Sequence, residues 1–146
     1  MSTWFQIVIT ALAVIISSSL SWLSYRKGKA ELFFQLFTSY NEKYSMLNDK
    51  LYLILDKEST VEDNGIKIED FDKEEINTIM DYLNLCSEEY LWKKKGFIDK
   101  SVWESWQAGI QWWYDNSILI QLIWKEEFKQ KKSYYIDDNK SFIKLK

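Results

Sequence analysis

The chain has 146 residues, with 47% hydrophobic and 17% aromatic side chains, no proline, one cysteine and a net charge of −3. From Ala30 onward there are 16 lysines, no arginine and 22 acidic residues. This net charge of −6 excludes an ordinary nucleic-acid-binding domain, which needs a basic face. A lone cysteine excludes an internal disulfide and fits a reducing compartment.

The N-terminal segment carries no charged side chain before Arg26. Residues 4–25 number 22, and a helix of that length rises roughly 33 Å, enough to cross a hydrocarbon core of about 30 Å. A cleaved signal peptide would have basic residues before its apolar run, whereas here they follow it. The pattern therefore predicts a retained transmembrane helix, with a signal peptide or a buried helix as the alternatives.

The basic residues after the apolar run predict the topology. Arg26, Lys27 and Lys29 all follow the span, and positive charges favour the cytosolic side. We therefore expect a single-pass protein of the cell inner membrane, with its N-terminus outside and its C-terminal domain in the cytosol.

The small and polar residues of the span form one stripe. On a helical projection they fall within an arc of about 80°. They are Gln6, Thr10, Ala13, Ser17, Ser21 and Ser24. Hydroxyl and amide groups in hydrocarbon need partners, so the stripe predicts a helix–helix contact or the lining of a pore. The alternative is that these side chains bond back to their own helix and face lipid.

The remainder predicts an all-α domain. Apolar residues spaced four and three apart predict a helix over residues 29–56, which could continue from the membrane span because only Gly28 interrupts it. A polar connection over residues 58–70 follows, with a turn at 63–65 and without the ligand pattern of a calcium loop. Asp72 and Glu75 predict a capping box for the next helix, which ends at Gly96.

Two further helices complete the prediction. Asp99 is the expected N-cap of a helix that runs to about Tyr114, and Ser117 caps a last helix over residues 118–131. The tail from Lys132 has no clear period. We predict a transmembrane helix and basic flank over residues 1–28, followed by a cytosolic bundle of about four helices over residues 29–146.

The chain offers little for catalysis. Histidine is absent, and the four glycines are too far apart for a phosphate loop. Glu88 and Glu89 are interpreted as a solvated face with one acid paired to Lys93 or Lys94. Cys86 lies on an apolar face and is expected to be a buried, inert thiol. We therefore predict no enzyme, no cofactor and no metal site.

The tryptophans divide into two groups by helical period. Trp103, Trp106 and Trp113 keep the period and are predicted to lie in the core. Trp92, Trp112 and Trp124 lie off that face or near helix ends, so they are the interface candidates. An aromatic cage for a cation lacks a supporting acid in the sequence pattern.

A resemblance rests on NLCSEEY at residues 84–90, KGFID at 95–99, VWESW at 102–106 and Gly109-Ile110. Over roughly residues 30–135 the chain resembles a widespread group of small bacterial membrane proteins with one transmembrane helix before a helical domain. More remotely, its architecture is similar to the membrane accessory protein of type VI-B CRISPR systems. That resemblance implies a HEPN-like helical domain, a ring-shaped membrane pore and a role in antiviral defence. HEPN nuclease chemistry is not implied, because it pairs an arginine with a downstream histidine.

Two functions are expected from these patterns. The first is a homo-oligomeric pore or membrane-perturbing ring that acts as an antiphage effector or accessory. The second is a membrane-anchored adaptor that recruits a cytosolic protein. The expected partners are membrane lipid, further copies of the chain and a cytosolic defence protein, with no direct contact to nucleic acid.

Overall fold

A computed structural model of the chain describes residues 3–60, 65–129, 134–136 and 141–144. In these ranges all regular structure is helical, which confirms the predicted all-α class. Four α-helices follow one another: α1 is Thr3–Ser59, α2 is Lys73–Lys94, α3 is Lys100–Asn116 and α4 is Ile118–Glu127. A short 3₁₀ turn, Ile68–Asp70, precedes α2.

The chain divides into two compact units, Met1–Phe37 and Thr38–Lys146. The first unit is a stretch of α1 whose large apolar side chains between Trp4 and Tyr25 are all more than half exposed. An 18-residue window has a mean hydropathy of 2.0, and none of it is buried. This helix is therefore long and apolar enough to cross a membrane.

Helix α1 is uninterrupted at Gly28, as the continuous-helix prediction requires. A glycine inside a helix costs about 1 kcal/mol relative to alanine, which neighbouring strong helix formers offset. Near the same point the Arg26 guanidinium lies 4.9 Å from the centroid of the Trp22 ring. Lys27 and Glu31 form an exposed i,i+4 pair at 3.8 Å.

The second unit is built around the later part of α1, helices α2 to α4 and the tail. Local signals set most of its helix ends. Asp72 accepts from the Glu75 backbone N–H at 2.9 Å while the Glu75 carboxylate accepts from Asp72, which confirms the capping box. Gly96 follows α2 with a φ of +76°, a value that glycine adopts without strain. The Ser117 side chain accepts from Ile120 N–H and caps α4, also as predicted.

The connection after α1 differs from the prediction at Glu58. This residue was expected in a polar loop, but it lies in the last turn of α1 and is 5% exposed. Its carboxylate accepts from the Ser117 hydroxyl and from the backbone N–H groups of Ile118 and Leu119, at 2.8 to 3.0 Å. An acid therefore closes the N-terminus of α4 from another helix, where the dipole favours negative charge. Of the predicted turn at 63–65, residues 63 and 64 lie outside the described ranges.

The tail contributes to the core, although its sequence has no period. Phe142 and Ile143 are 0% and 2% exposed, and the Phe142 ring centroid lies 4.9 Å from that of Trp124. Backbone groups of the tail bond to α3 at Gln111, whose side chain accepts from Lys144 N–H at 2.9 Å. The described tail residues 141–144 thus pack on α3 and α4 and are not helical.

Candidate functional site

The predicted polar stripe lies wholly on the exposed part of α1. The Thr10 hydroxyl donates to the Gln6 carbonyl at 2.9 Å, so this member bonds back to its own helix. Off the stripe, Ser19 does the same with Ile15 at 2.8 Å. Among the described residues, no hydrogen bond involves the side chains of Ser17, Ser21 or Ser24. The stripe therefore contains both a satisfied hydroxyl and hydroxyls that have no partner within the described chain.

Trp124 was predicted as an interface candidate, and this prediction is wrong. Its side chain is 1% exposed and packs against the rings of Phe128, Tyr134 and Phe142. The tail residues that bury it are distant in the sequence, so local helical period could not reveal them. Its indole N–H has no partner within the described ranges.

The other predicted tryptophans differ in how far they are exposed. Trp112 is 45% exposed and meets Trp113 edge to face, so it retains surface for a partner. Trp92 is half-buried, with its ring centroid 5.5 Å from that of Phe97. Trp103 and Trp113 are buried as predicted, whereas Trp106 is half-buried and lines a cavity.

That cavity, which we call the Glu89 cavity, is enclosed by α1, α2 and α3 within the second unit and has a volume of about 200 Å³. Buried residues such as Tyr82, Cys86 and Ile110 form its floor, while exposed Ser105 and Gly109 stand at its rim. The lining is completed by the following residues: Tyr40, Asn41, Tyr44, Leu85, Glu89 and Trp106.

The predicted interpretation of Glu88 and Glu89 as a solvated pair is wrong. Glu88 pairs with Lys43 of α1 at 3.0 Å, not with Lys93 or Lys94. Glu89 is 7% exposed and lines the cavity. Because adjacent residues on a helix point about 100° apart, one acid reaches solvent while the other turns inward. The burial of Glu89 comes from α1 and α3, which the local pattern of α2 does not reveal.

The electrostatics of the cavity follow from burial. Desolvation, with a further contribution from the Glu88 charge, raises the pKa of Glu89 to about 8. Burial likewise raises the pKa of Cys86 well above its usual range, and Glu89 adds to the effect. The thiol is 1% exposed, so the predicted buried cysteine is confirmed and its thiolate is strongly disfavoured.

Aromatic contacts tie the cavity walls together. Tyr40 and Trp106 meet edge to face, with centroids 6.0 Å apart and an interplanar angle of 88°. Tyr44 and Tyr82 are tilted at 49° with centroids 6.4 Å apart, and the Tyr44 hydroxyl accepts from the Trp113 indole at 2.9 Å. Side chains fixed in this way present a pre-formed concave surface, a common property of small-molecule sites.

The described ranges bring no three histidine, cysteine, aspartate or glutamate side chains together in a way that could hold a metal ion. The stripe on α1 and the Glu89 cavity are therefore the two features from which a function can be argued. Comparison with protein-family models, with curated proteins and with solved structures finds no match to this chain.

Proposed function

We propose that this chain is a single-pass membrane protein that self-associates through the polar stripe of α1 and perturbs the membrane as an oligomer. The observation that carries the proposal is the group of serine hydroxyls, without hydrogen-bond partners among the described residues, on the exposed and otherwise apolar first part of α1. Through the remoter similarity to the membrane accessory protein of type VI-B CRISPR systems, the biological setting would be antiphage defence.

The orientation in this proposal follows from charge. Arg26, Lys27 and Lys29 would lie at the cytosolic surface, and the N-terminus would lie outside. Trp22 supports this boundary, because its ring contacts Arg26 at 4.9 Å and tryptophan favours the membrane interface. A reporter fused after Lys146 is expected to behave as cytosolic. Periplasmic reporter activity would contradict the orientation.

Self-association is expected because polar groups without hydrogen bonds are unfavourable in hydrocarbon. A hydroxyl without a hydrogen bond is costly in lipid, and a second helix or water in a lumen supplies the partner. Ala13, Ser17 and Ser21 are spaced four apart, so small side chains would let two backbones approach closely. Thr10 contributes less, because its hydroxyl already donates within the helix at 2.9 Å.

The test compares stripe positions with a matched position off the stripe. Ser17→Leu and Ser21→Leu introduce large apolar side chains into the stripe, and Ser18→Leu introduces the same side chain outside it. Each full-length variant is purified in a mild detergent for mass determination and expressed in cells for a membrane-potential dye assay. We expect the parent to form a defined assembly and the Ser18 variant to match it.

The two stripe variants separate a contact from a pore. Loss of assembly indicates a tight helix contact, because leucine prevents close approach. Retained assembly with loss of depolarisation indicates a lumen that leucine blocks. If both stripe variants assemble and depolarise like Ser18→Leu, or if the parent is a monomer in every detergent, the proposal is wrong.

A second function, a membrane-anchored adaptor, is favoured by exposed apolar side chains of the second unit. Met46 and Leu53 are 76% and 69% exposed and lie seven residues apart, hence on one face of α1. Exposed apolar groups clustered in this way are typical of protein-contact surfaces. A photo-crosslinking side chain at Leu53 would then capture one defined protein, and Met46→Lys would abolish the product. Capture of only the chain itself would favour the oligomer instead.

A further inference from the structure

Glu89 is a buried acid that no hydrogen bond or ion pair satisfies within the described ranges. It is 7% exposed and lines the Glu89 cavity. Glu58, the other buried acid, is 5% exposed and accepts three hydrogen bonds. Burying a carboxyl without partners is costly, and proteins rarely retain such a group without a reason. Among the described residues, the Trp124 indole nitrogen is the one fully buried polar side-chain atom without a hydrogen-bond partner, so the Glu89 carboxylate oxygens are accessible from the cavity. The Glu89 cavity thus presents an acceptor that a bound donor or positive charge can use.

The walls around this carboxyl are aromatic. Tyr40 and Tyr44 come from α1, Tyr82 from α2 and Trp106 from α3. Tyr40 and Trp106 meet edge to face, so the lining contains two rings at right angles to each other. Aromatic rings attract cations through their quadrupole, and aromatic cages recognise ammonium groups in this way. Glu89 is therefore the acid beside the aromatic rings that the sequence pattern alone did not identify for an aromatic cage.

Size and donor set narrow the class of cation. A volume of about 200 Å³ holds roughly seven water-sized atoms at about 30 Å³ each. A divalent metal prefers several carboxylate, imidazole or thiolate ligands, and the described residues bring no three histidine, cysteine, aspartate or glutamate side chains together to hold one. A small organic cation matches both the volume and the largely apolar walls.

We propose that the Glu89 cavity binds a small organic cation through an ammonium group, which the Glu89 carboxylate neutralises and the rings of Tyr40, Tyr44, Tyr82 and Trp106 surround. This site is independent of the oligomer proposed above. Asn41, Ser105 and Gly109, all exposed, mark the side from which the ligand enters.

Binding through this carboxylate predicts a defined pH dependence. Glu89 must be ionised to neutralise the ligand. Its pKa of about 8 means that, without a ligand, most Glu89 carboxyls are protonated and neutral below that pH. The titratable groups that line the cavity with it are Tyr40 and Tyr44 from α1 and Tyr82 and Cys86 from α2, whereas the α3 lining has none. The charge of Glu88, which lies outside the lining, also raises the pKa of Glu89. Affinity for a permanently charged ligand is therefore expected to rise at least tenfold from pH 6 to pH 9.

The test uses choline and its neutral isostere 3,3-dimethylbutan-1-ol, which has the same shape without the charge. Full-length protein in a maltoside detergent is titrated with each compound by calorimetry, in phosphate or borate buffers that contain no amine. Tetramethylammonium and methylammonium are titrated in parallel, and sodium chloride at equal concentration controls for ionic strength. Binding of at least one of the three cations, and not of the alcohol, is expected.

Three variants locate the site. Glu89→Gln keeps the shape of the side chain and should weaken cation binding at pH 9 at least tenfold. Glu88→Gln, the neighbouring acid outside the cavity lining, should retain binding. Gly109→Met tests the rim without altering Glu89: a Cβ added at Gly109 meets no atom within 4 Å, so the variant should fold and block entry.

Several outcomes would overturn the proposal. Equal binding of choline and the alcohol would identify an apolar cavity without charge recognition. Undiminished binding by Glu89→Gln or Gly109→Met would place the cation elsewhere. Absence of binding of all three cations up to about 10 mM would exclude the ligand class. None of these results depends on whether the chain is an oligomer.

Discussion

The burial of Glu89 predicts that the free energy of unfolding falls as the pH rises. Its pKa is raised from an ordinary value of 4.5 to about 8. A carboxyl with a raised pKa in the folded state stabilises the fold fully below the pKa of the unfolded chain. That stability is lost progressively between pH 4.5 and pH 8 and does not fall further above this range. The direction is opposite to that of a carboxylate held by an ion pair.

The magnitude follows from the same pKa difference. Raising the pKa from 4.5 to about 8 corresponds to about 5 kcal/mol, at 1.36 kcal/mol per pH unit. Part of this change already occurs below pH 5, so the difference between pH 5 and pH 9 is at most about 4 kcal/mol. Water that enters through the exposed rim reduces the cost, so we expect a measured loss of about 2 to 4 kcal/mol. Glu89→Gln removes the ionisation, and the variant should therefore exceed the parent in stability at pH 9.

Urea unfolding followed by tryptophan fluorescence measures this in full-length protein, at pH 5, 7 and 9 in amine-free buffers. Glu88→Gln is the matched control. This variant removes the Glu88 charge, which is the smaller cause of the raised Glu89 pKa. Desolvation, the larger cause, remains, so most of the pH dependence should persist. If the difference in stability between the parent and Glu89→Gln is the same at all three pH values, the carboxyl does not titrate in this range and the reasoning fails.

Three further predictions concern stability, each measured by urea unfolding at pH 7. Glu58→Ala removes the acceptor of three hydrogen bonds at the start of α4 and should cost about 3 kcal/mol; equal stability of parent and variant would refute the capping role. Gly96→Ala should lower the free energy of unfolding by about 1 kcal/mol because of the φ of +76° at this position. Gly109→Ala, where a Cβ meets no atom within 4 Å, should raise it by about 0.5 to 1 kcal/mol. A change of the same sign at both positions would contradict the backbone argument. Phe142→Ala should cost about 3 to 5 kcal/mol if the tail is part of the core, and a loss below 1 kcal/mol would show that it is not.

The features that sequence reasoning predicted correctly are those that depend on near neighbours. The capping box joins Asp72 to Glu75, three residues apart, and the end of α2 depends on Gly96 alone. The long apolar run of α1 is a property of composition, which needs no knowledge of partners. Such signals survive in a sequence because the interactions behind them lie within one helical turn.

The features that it missed depend on distant residues. The tail sequence has no clear period, its described residues 141–144 are not helical, and Phe142 meets Trp124 across 18 positions of the sequence. Trp124 then appears peripheral on a helical projection although it is 1% exposed in the fold. Helical period describes one face of one helix, whereas burial depends on every element that covers that face.

Two acids, Glu58 and Glu89, were misinterpreted because distant residues bury them, but their burial affects the fold differently. Glu58 and Glu89 were both predicted to be solvated, because an acidic side chain is seldom fully buried. Glu58 is compensated by donors about 60 residues away, so its burial is explained by the fold itself. Glu89 has no such compensation within the described residues, and its burial weakens the fold near neutral pH. A positively charged ligand of the kind proposed above would offset this cost, because its binding would stabilise the folded chain with an ionised Glu89. Tyr40, Tyr44, Tyr82 and Trp106 line the same cavity, and aromatic side chains are those that such recognition uses.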